Sequence, residues 1–359
     1  MPRAANERLA RVGRWALTLA LGALAGWGCA RLHTPIPWML GPLFSIALLR
    51  MIGAPLAVPL PVRYAGQWII GTSLGLYFTP HVVHLVAGLW YLLVAGAIFA
   101  IGLGYVSGLA LSRLTGLDKT TGIFASVPGG AAEMSILGER FGGRVDMIAA
   151  AQSLRILIVV AIVPTAITAL GVHGADVYEP GAKTFVATGF AMLLMATLSG
   201  GLVFQAIGLP NAFVLGALAV AIPMTAVEID LSSMPTLASN AGQLFIGCAL
   251  GARFGPDFVS RAHRFVAAVA VAVVLSIALS AAFGVSLAWA SGQQPATLVL
   301  GNAPGGIAEM CITAKVLQLG VPLVTAFHVT RLVVLLLATP LVFVRARRWY
   351  RARGSKRDP

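Results

Sequence analysis

The chain has 359 residues, of which 58% are hydrophobic and only 10% are charged, and its mean hydropathy is +0.89. This composition lies far outside the range of soluble domains and is typical of proteins that cross a membrane several times. The formal net charge of +13 is concentrated at the two ends of the chain, so it predicts cytoplasmic flanks and not a surface that binds nucleic acid.

The chain begins with a basic segment at residues 1–14, which is followed by an apolar run at residues 15–31. A signal peptide has the same general pattern. However, residues 26–28 lack the usual small-residue cleavage site, and removal of this helix would leave the first repeat without a counterpart of the second. We therefore interpret it as a retained membrane anchor. A second basic segment covers residues 344–359, so both termini are predicted to be cytoplasmic.

Apolar runs long enough to cross a bilayer follow in order along the chain. They cover residues 15–31, 37–52, 83–111 and 147–170, and then residues 184–207, 212–226, 265–290 and 321–343. Two shorter segments, 65–78 and 241–254, contain glycines at small-xxx-small spacing, which favours close helix packing. They also carry Gln67 and Gln243, which are candidate polar residues of a cavity wall.

A nine-residue motif identifies the chain as an internal duplication. The motif at residues 126–134 returns 176 residues later at residues 302–310, with Pro-Gly-Gly followed by a glutamate in both copies. Gly66-Gln67 and Arg155 recur at the same offset as Gly242-Gln243 and Arg331. Residues 15–172 and 184–343 are therefore interpreted as two membrane repeats, joined by a linker at residues 173–183.

The charges around the first motif segment predict its path through the membrane. Lys119 precedes it and Arg140 follows it, so both of its ends are expected in the cytoplasm. Each repeat then has five crossings and one re-entrant hairpin, and the odd number inverts the second repeat. The predicted fold is an all-α polytopic membrane protein with about ten transmembrane helices in two inverted five-helix repeats, each with a re-entrant Pro-Gly-Gly hairpin. The alternative is six crossings per half and parallel repeats.

The two broken helices predict a site near the bilayer midplane, as in many secondary transporters. A break leaves backbone groups without partners, and amides at the start of a half-helix favour anions. Glu133 and Glu309 lie one turn beyond the breaks, where they could couple transport to H⁺ or Na⁺, or cap their own helices.

Two arginines, Arg155 and Arg331, are repeat mates near the middle of their spans. They could each pair with a glutamate, or both could bind an anion. Gln152 and His328 lie three residues before them on the same helix face, and Ser126 and Asn302 differ between the half-sites. The candidate substrate- and ion-binding residues are Ser126, Pro128, Gly129, Gly130, Glu133, Gln152, Arg155, Asn302, Pro304, Gly305, Gly306, Glu309, His328 and Arg331.

Enzyme chemistry finds little support in the sequence. The six histidines are scattered, and the three cysteines show neither a disulfide framework nor zinc spacing. We expect no catalytic residue, no metal and no cofactor.

At the two motifs, Pro128–Met134 and Pro304–Met310, the chain resembles the AbrB-type membrane family of bacteria, whose members carry a duplicated domain with a Pro-Gly-Gly-x-Ala-Glu-Met signature. The resemblance extends over residues 15–343. It implies a bacterial membrane protein that family labels connect with ammonia monooxygenase or with regulation of gene expression. The sequence contains neither a copper-ligand cluster nor a DNA-binding domain.

The functional hypothesis is ion-coupled transport of a small anionic metabolite across the bacterial inner membrane. The alternative is a membrane-embedded sensor involved in regulation of gene expression, and a membrane monooxygenase ranks third. Membrane lipid is the expected partner, nucleic acid is not, and assembly into a homo-oligomer stays open.

Overall fold

The computed structural model describes residues 2–172, 174, 178–256 and 263–354, and their secondary structure is helical without strands. The first repeat contains α1 (Pro2–Arg31), α2 (Pro37–Met51), α3 (Leu60–Gly75), α4 (Pro80–Gly88), α5 (Trp90–Thr115), α6 (Lys119–Ser126), α7 (Ala131–Arg140) and α8 (Val145–Ala169). The second contains α9 (Ala187–Ala206), α10 (Ala212–Ala226), α11 (Thr236–Gly251), α12 (His263–Ser291), α13 (Pro295–Asn302), α14 (Ile307–Leu317) and α15 (Val321–Gly354). The predicted all-α class is confirmed, while parts of the linker (173 and 175–177) and of the basic tail (355–359) lie outside the described residues.

Among the described residues, four helices are each long and apolar enough to cross a membrane, namely α5, α8, α9 and residues 264–291 of α12. The pair α3 and α4 would make a fifth span if the two helices, which are bent by 92°, are taken together. Large apolar side chains such as Ile98 and Met195 are 63% and 65% exposed on these helices. This part of the chain is therefore compatible with a multi-pass membrane protein, and the number of ten crossings stays a prediction.

The apolar run at residues 83–111 was expected to be one span, and the structure corrects this. It is divided between α4 and α5, because α4 ends at Gly88 and Leu89 leaves helical geometry with φ −98° and ψ 16°. Trp90 and Tyr91 follow at once and are 64% and 50% exposed. Aromatic residues are enriched where a helix meets the membrane surface, so we infer that the membrane-crossing part of this run begins at Trp90.

Helix boundaries repeat along the chain with the spacing of the sequence repeat. The ends of α3, residues 60 and 75, return 176 residues later as the ends of α11, residues 236 and 251. The ends of α6 return in the same way as those of α13. The duplication seen in the motifs therefore extends to the secondary structure.

The helices of the two repeats are interlaced in two bundles. The first, called the six-helix bundle, consists of α1–α3 and α9–α11, where α2 packs against α11 and α10 packs against α3. The second, called the hairpin bundle, consists of α5–α8 and α12–α15, where α5 packs against α15 and α12 against α8. Each of these pairs joins one repeat to the other, so neither repeat forms a bundle by itself.

Glycines permit the close approach of helices in the six-helix bundle, as the small-residue spacing predicts. A Cβ added to Gly71 would lie 2.7 Å from the backbone oxygen of Val214 on α10. Its repeat mate Gly247 has the matching contact, at 2.6 Å from the backbone oxygen of Met39 on α2. A larger residue at either position would push two helices apart.

Equivalent helices of the two repeats run in opposite directions where they meet. A Cβ added to Gly66 on α3 would lie 3.0 Å from Ile246 Cγ1 on α11, whereas one added to Gly242 on α11 would lie 3.1 Å from Ile70 Cδ1 on α3. An early residue of each helix thus meets a later residue of the other, so α3 and α11 are antiparallel.

The hairpin bundle has the same antiparallel arrangement at α5 and α12. The rings of Phe99 and Phe283 stack with their centroids 3.9 Å apart, and the hydroxyls of Ser107 and Ser276 are 3.3 Å apart. As α5 advances from residue 99 to 107, its neighbour on α12 moves back from residue 283 to 276.

Candidate functional site

Each motif segment folds into a pair of short helices that double back on each other. In the first repeat, the Arg144 backbone N–H donates to Thr121 Oγ1 at 2.8 Å, and the rings of Phe124 and Phe141 stack at 5.9 Å. The start of α6 therefore lies beside the end of α7. In the second repeat, a Cβ added to Gly320 after α14 would lie 2.7 Å from Thr297 Cγ2 at the start of α13. Both segments are helical hairpins with Pro-Gly-Gly at their tips.

Local sequence explains where the hairpin helices end and begin. Asp118 caps α6, since its Oδ1 accepts from the Thr121 backbone N–H at 2.7 Å. Val127 and Ala303 precede the prolines and have extended ψ angles of 129° and 141°, because a residue before proline disfavours the helical region. The glycine that ends each Pro-Gly-Gly then serves as the N-cap of the next helix.

The two buried arginines donate to the carbonyls that the helix breaks set free. Arg155 donates from Nη1 to Val127 O and from Nη2 to Gly129 O, both at 3.0 Å. Arg331 binds its own hairpin in the same way, from Nη1 to Ala303 O at 2.7 Å and from Nη2 to Gly305 O at 2.5 Å. The planar guanidinium fork suits two adjacent acceptors, so each arginine stabilises the tip of one hairpin.

Gln152 and His328 add to this hydrogen bonding from one turn earlier on the same helices. Gln152 Nε2 donates to Phe124 O at 2.7 Å and to Val127 O at 2.9 Å. His328 Nε2 lies 3.2 Å from Leu300 O. Both side chains are fully buried, so we assign them to the support of the hairpins as well.

The glutamates do not pair with these arginines. Within the described residues, the ion pairs are Arg144 with Asp146 and Lys183 with Glu179, and neither involves Glu133 or Glu309. The interpretation in which the two glutamates neutralise Arg155 and Arg331 through direct pairs is therefore wrong.

Each glutamate instead lies against the glycine that begins its own helix. A Cβ added to Gly130 would overlap Glu133 Oε2, and one added to Gly306 would overlap Glu309 Oε2. These glycines leave room for a carboxylate near the first-turn amides, which lack partners within the helix. Glu309 is 7% exposed, and Glu133 is half-buried.

A central cavity lies where the two bundles meet and holds both hairpin tips. It contains about 750 Å³ of empty space, including its open mouth. Of the candidate site residues, those in its lining are Pro128, Gly129, Gly130, Arg155, Gly305, Gly306, Glu309, His328 and Arg331. Because Ala131 and Ile307 also line it, the first turns of α7 and α14 both border the cavity.

The remaining candidates lie near the tips but outside this lining. Ser126 and Pro304 border a small neighbouring pocket, where they meet Arg155. Asn302 is buried and donates from Nδ2 to Leu298 O at 2.9 Å. Glu133 and Gln152 contact their own hairpin, as described above. The structure thus brings nine of the fourteen candidates around one cavity.

Four further polar residues of the cavity come from the six-helix bundle. Gln67, expected as a polar wall residue, donates from Nε2 to Asn211 Oδ1 at 3.3 Å. Arg63 in the first turn of α3 and Arg253 just after α11 also line the cavity. Asn211 and both arginines were not among the site residues predicted from the sequence. Arg63 has the repeat mate Ser239 and Arg253 has the repeat mate Tyr77, so neither arginine recurs in the other repeat.

The cavity has an excess of positive charge. Four arginines line it, whereas Glu309 is its one acidic lining residue among those the structure describes. Two helix N-termini add the partial positive charge of their free amides. No group of three or more histidine, cysteine, aspartate or glutamate side chains that could hold a metal occurs in the described part of the chain.

Known proteins resemble the chain over almost its whole length. A family model described as transition state regulatory protein AbrB matches residues 38–347. A protein of Escherichia coli (strain K12) named "Putative regulator AbrB" is 23% identical over 331 residues, which cover 92% of this chain and 95% of that protein. "Uncharacterized protein YhjN" of Bacillus subtilis (strain 168) is 24% identical over 370 residues, covering 95% of this chain and 94% of that protein. Because the family model matches most of the chain, including both hairpins, the chain belongs to the AbrB family.

Proposed function

We propose that the protein is an ion-coupled secondary transporter that moves a small anionic metabolite across the bacterial inner membrane by alternating access. The observation that carries this proposal is the central cavity, where two broken helices present their N-termini beside four arginines. Helix N-termini of discontinuous helices bind anionic substrate groups in several transporter folds. Four arginines against one glutamate favour a substrate with two or more negative charges.

The antiparallel packing of equivalent helices supports inverted repeats. If α5 and α12 both cross the membrane, they cross it in opposite directions, because Phe99 meets Phe283 and Ser107 meets Ser276. The two hairpins then enter from opposite sides, which agrees with ten crossings and two cytoplasmic termini. Glu309 in the cavity and Glu133 near it are proposed as the groups that couple transport to H⁺ or Na⁺.

Transport should be measurable with the purified protein in proteoliposomes. Uptake of labelled mono-, di- and tricarboxylates and of phosphate would be followed under imposed H⁺ or Na⁺ gradients. We expect Arg253→Gln to reduce uptake about tenfold or more, because it removes one charged donor from the cavity. Arg113→Gln is the matched control, since Arg113 is exposed and lies outside the cavity lining. If the folded protein takes up none of these anions, the proposal that it is a transporter is refuted.

The inverted topology has its own test in the bases of the two hairpins. Glu139 near the end of α7 and Gln294 at the start of α13 are both exposed. In a version in which Cys29, Cys248 and Cys311 are replaced, Glu139→Cys should react with an impermeant maleimide from the cytoplasm, and Gln294→Cys only from the opposite side. Reaction of both from one side would support parallel repeats instead.

A membrane-embedded sensor involved in regulation of gene expression is the second candidate. It is favoured by the family description and by the name of the Escherichia coli relative. The same cavity would then bind its anion without net flux. Saturable binding by the purified protein, combined with no uptake under any gradient, would favour this function over transport.

A further inference from the structure

A second cavity, called the vestibule, adjoins the central cavity at the Arg63 end of α3. It contains about 880 Å³ of space, including its open mouth. Four arginines line it: Arg14 on α1, Arg50 near the end of α2, and Arg63 and Arg253. The rest of its lining is alanine, proline, valine and leucine.

The vestibule and the central cavity share part of their lining. Arg63, Ala249 and Arg253 line both of them. An anion in the vestibule would therefore meet Arg63 and Arg253, two of the four arginines that border the central cavity. Arg14 and Arg50, in contrast, belong to the vestibule alone.

The lining of the vestibule is strongly basic in the part of the chain that the structure describes. Its lining there contains no aspartate or glutamate, and Arg50, Arg63 and Arg253 make no ion pair with the acidic side chains that the structure describes. Arg50 Nε is moreover buried without a hydrogen-bond partner. Like charges that converge in a partly enclosed space repel one another, and a bound anion relieves this repulsion.

The preference of membrane proteins for basic residues on the cytoplasmic side explains part of this pattern, but not all of it. That preference places arginines in loops and at helix ends, where water solvates them. It does not require a buried guanidinium nitrogen without a partner, nor a shared wall with an internal cavity. Both features point to a ligand.

We propose that the vestibule is a second anion-binding site, whose ligand carries at least two negative charges on carboxylate or phosphate groups. The site extends the proposed function, because the transported anion would bind in the vestibule before it reaches the central cavity. Binding there does not itself require transport, so the two ideas can fail separately. The same chemistry also suits the phosphate of an anionic phospholipid, because the exposed side chains of Ile52 and Leu60 lie near the arginines in sequence.

The test compares three variants of the full chain in a neutral detergent. Isothermal titration with inorganic pyrophosphate should show affinity about tenfold weaker for Arg50→Gln than for the unaltered protein. Arg50→Lys, which keeps the charge, should restore most of the affinity, and Arg113→Gln should bind normally. Because Arg50 does not line the central cavity, a loss in Arg50→Gln reports on the vestibule. Arg14→Gln provides a second variant if Arg50→Gln does not fold.

A second experiment distinguishes a soluble anion from a lipid headgroup as the ligand. Pyrophosphate binding is measured in phosphatidylcholine nanodiscs with and without phosphatidylglycerol. Pyrophosphate binding that is unchanged by phosphatidylglycerol supports a soluble anion. If phosphatidylglycerol abolishes pyrophosphate binding, and if Arg50→Gln retains fewer phosphatidylglycerol molecules than the unaltered protein, the ligand of the site is a lipid headgroup. If the folded arginine variants bind both probes like the unaltered protein, the vestibule site is refuted, whatever the uptake measurements show.

Discussion

Replacement of Arg331 with methionine is expected to abolish transport and to destabilise the protein by about 2 to 6 kcal/mol. Methionine has a similar length but no donor, so the carbonyls of Ala303 and Gly305 lose their partners in a buried position. A buried polar group without a partner costs about 1–3 kcal/mol, and two such groups are affected. The measurement is the thermal unfolding midpoint in detergent together with uptake in proteoliposomes, and we expect the midpoint to fall by about 5 °C or more.

Two further variants test the geometry behind this expectation. Arg331→Lys keeps the positive charge but not the planar fork, so it should recover only part of the stability. Arg155→Met should cost less than Arg331→Met, because Gly129 is half-buried whereas Gly305 is buried. An unfolding midpoint unchanged in Arg331→Met would mean that the hydrogen bonds to the hairpin tip contribute little, and that Arg331 acts on the ligand alone.

The bonds of Arg331 also explain why a hairpin tip can lie inside apolar surroundings. A break in the helix exposes carbonyls that cost several kcal/mol each without water. The guanidinium satisfies two of them and still lines the cavity. We infer that an anion would bind to a guanidinium whose position is already fixed by the protein. Binding would then cost little conformational entropy of the Arg331 side chain.

The sequence predicted the repeat, the helix breaks and most of the cavity because these features are local or recur at a fixed offset. Pro-Gly-Gly strongly disfavours a continuous helix, and its second copy indicates that the break is part of the architecture. The arginines at positions 155 and 331 were recognised for the same reason. Residues that recur in both repeats therefore carried the prediction.

The partners of those arginines could not be read from the chain. Glu133 is closer in sequence to Arg155 than Val127 is, and opposite charge favoured the acid. The observed bonds instead join residues 26 and 28 positions apart, and they depend on how α8 packs against α6. Helix packing of this kind has no signature in composition or spacing.

The residues that break the symmetry of the repeats were the hardest to predict. Arg63 and Arg253 are 190 positions apart, and they line the same cavity because α3 and α11 are antiparallel. The antiparallel arrangement of α3 and α11 also brings the other ends of these helices together, at Ser73 and Ser239. Lys315 lies there, and its repeat mate is the unrelated Glu139.

Lys315 ties the hairpin bundle to the six-helix bundle at the end away from Arg63 and Arg253. Its ammonium on α14 donates to Ser73 Oγ at 2.6 Å and to Ser239 Oγ at 3.2 Å. It also lies 5.9 Å from the centre of the Tyr77 ring. The pocket around it shares no lining residue with the central cavity. The central cavity thus shares Arg63 and Arg253 with the vestibule, while Lys315 joins the bundles at the opposite ends of α3 and α11.

Replacement of Lys315 with methionine should release this contact and shift the protein towards a form that opens on the other side. Hydrogen bonds from a charged donor contribute about 1.5–3 kcal/mol each, so loss of two would change the ratio of the two forms by about 100-fold or more. The probe is Ala131→Cys in the central cavity, with Cys29, Cys248 and Cys311 replaced. In the parent protein, an impermeant maleimide should label this cysteine only from the side of the membrane on which Arg63 lies. In Lys315→Met, it should label the cysteine from both sides.

Lys183→Met is the matched control for this change, because Lys183 forms an exposed pair with Glu179 that contributes little to stability. It should leave the ratio of labelling from the two sides unaltered. An unaltered ratio in Lys315→Met as well would show that the bundles are held together by their packing alone. A shift confined to Lys315→Met would instead identify one ammonium and two hydroxyls as the closure on that side, and alternating access would then require the hairpin bundle to break these hydrogen bonds in each cycle.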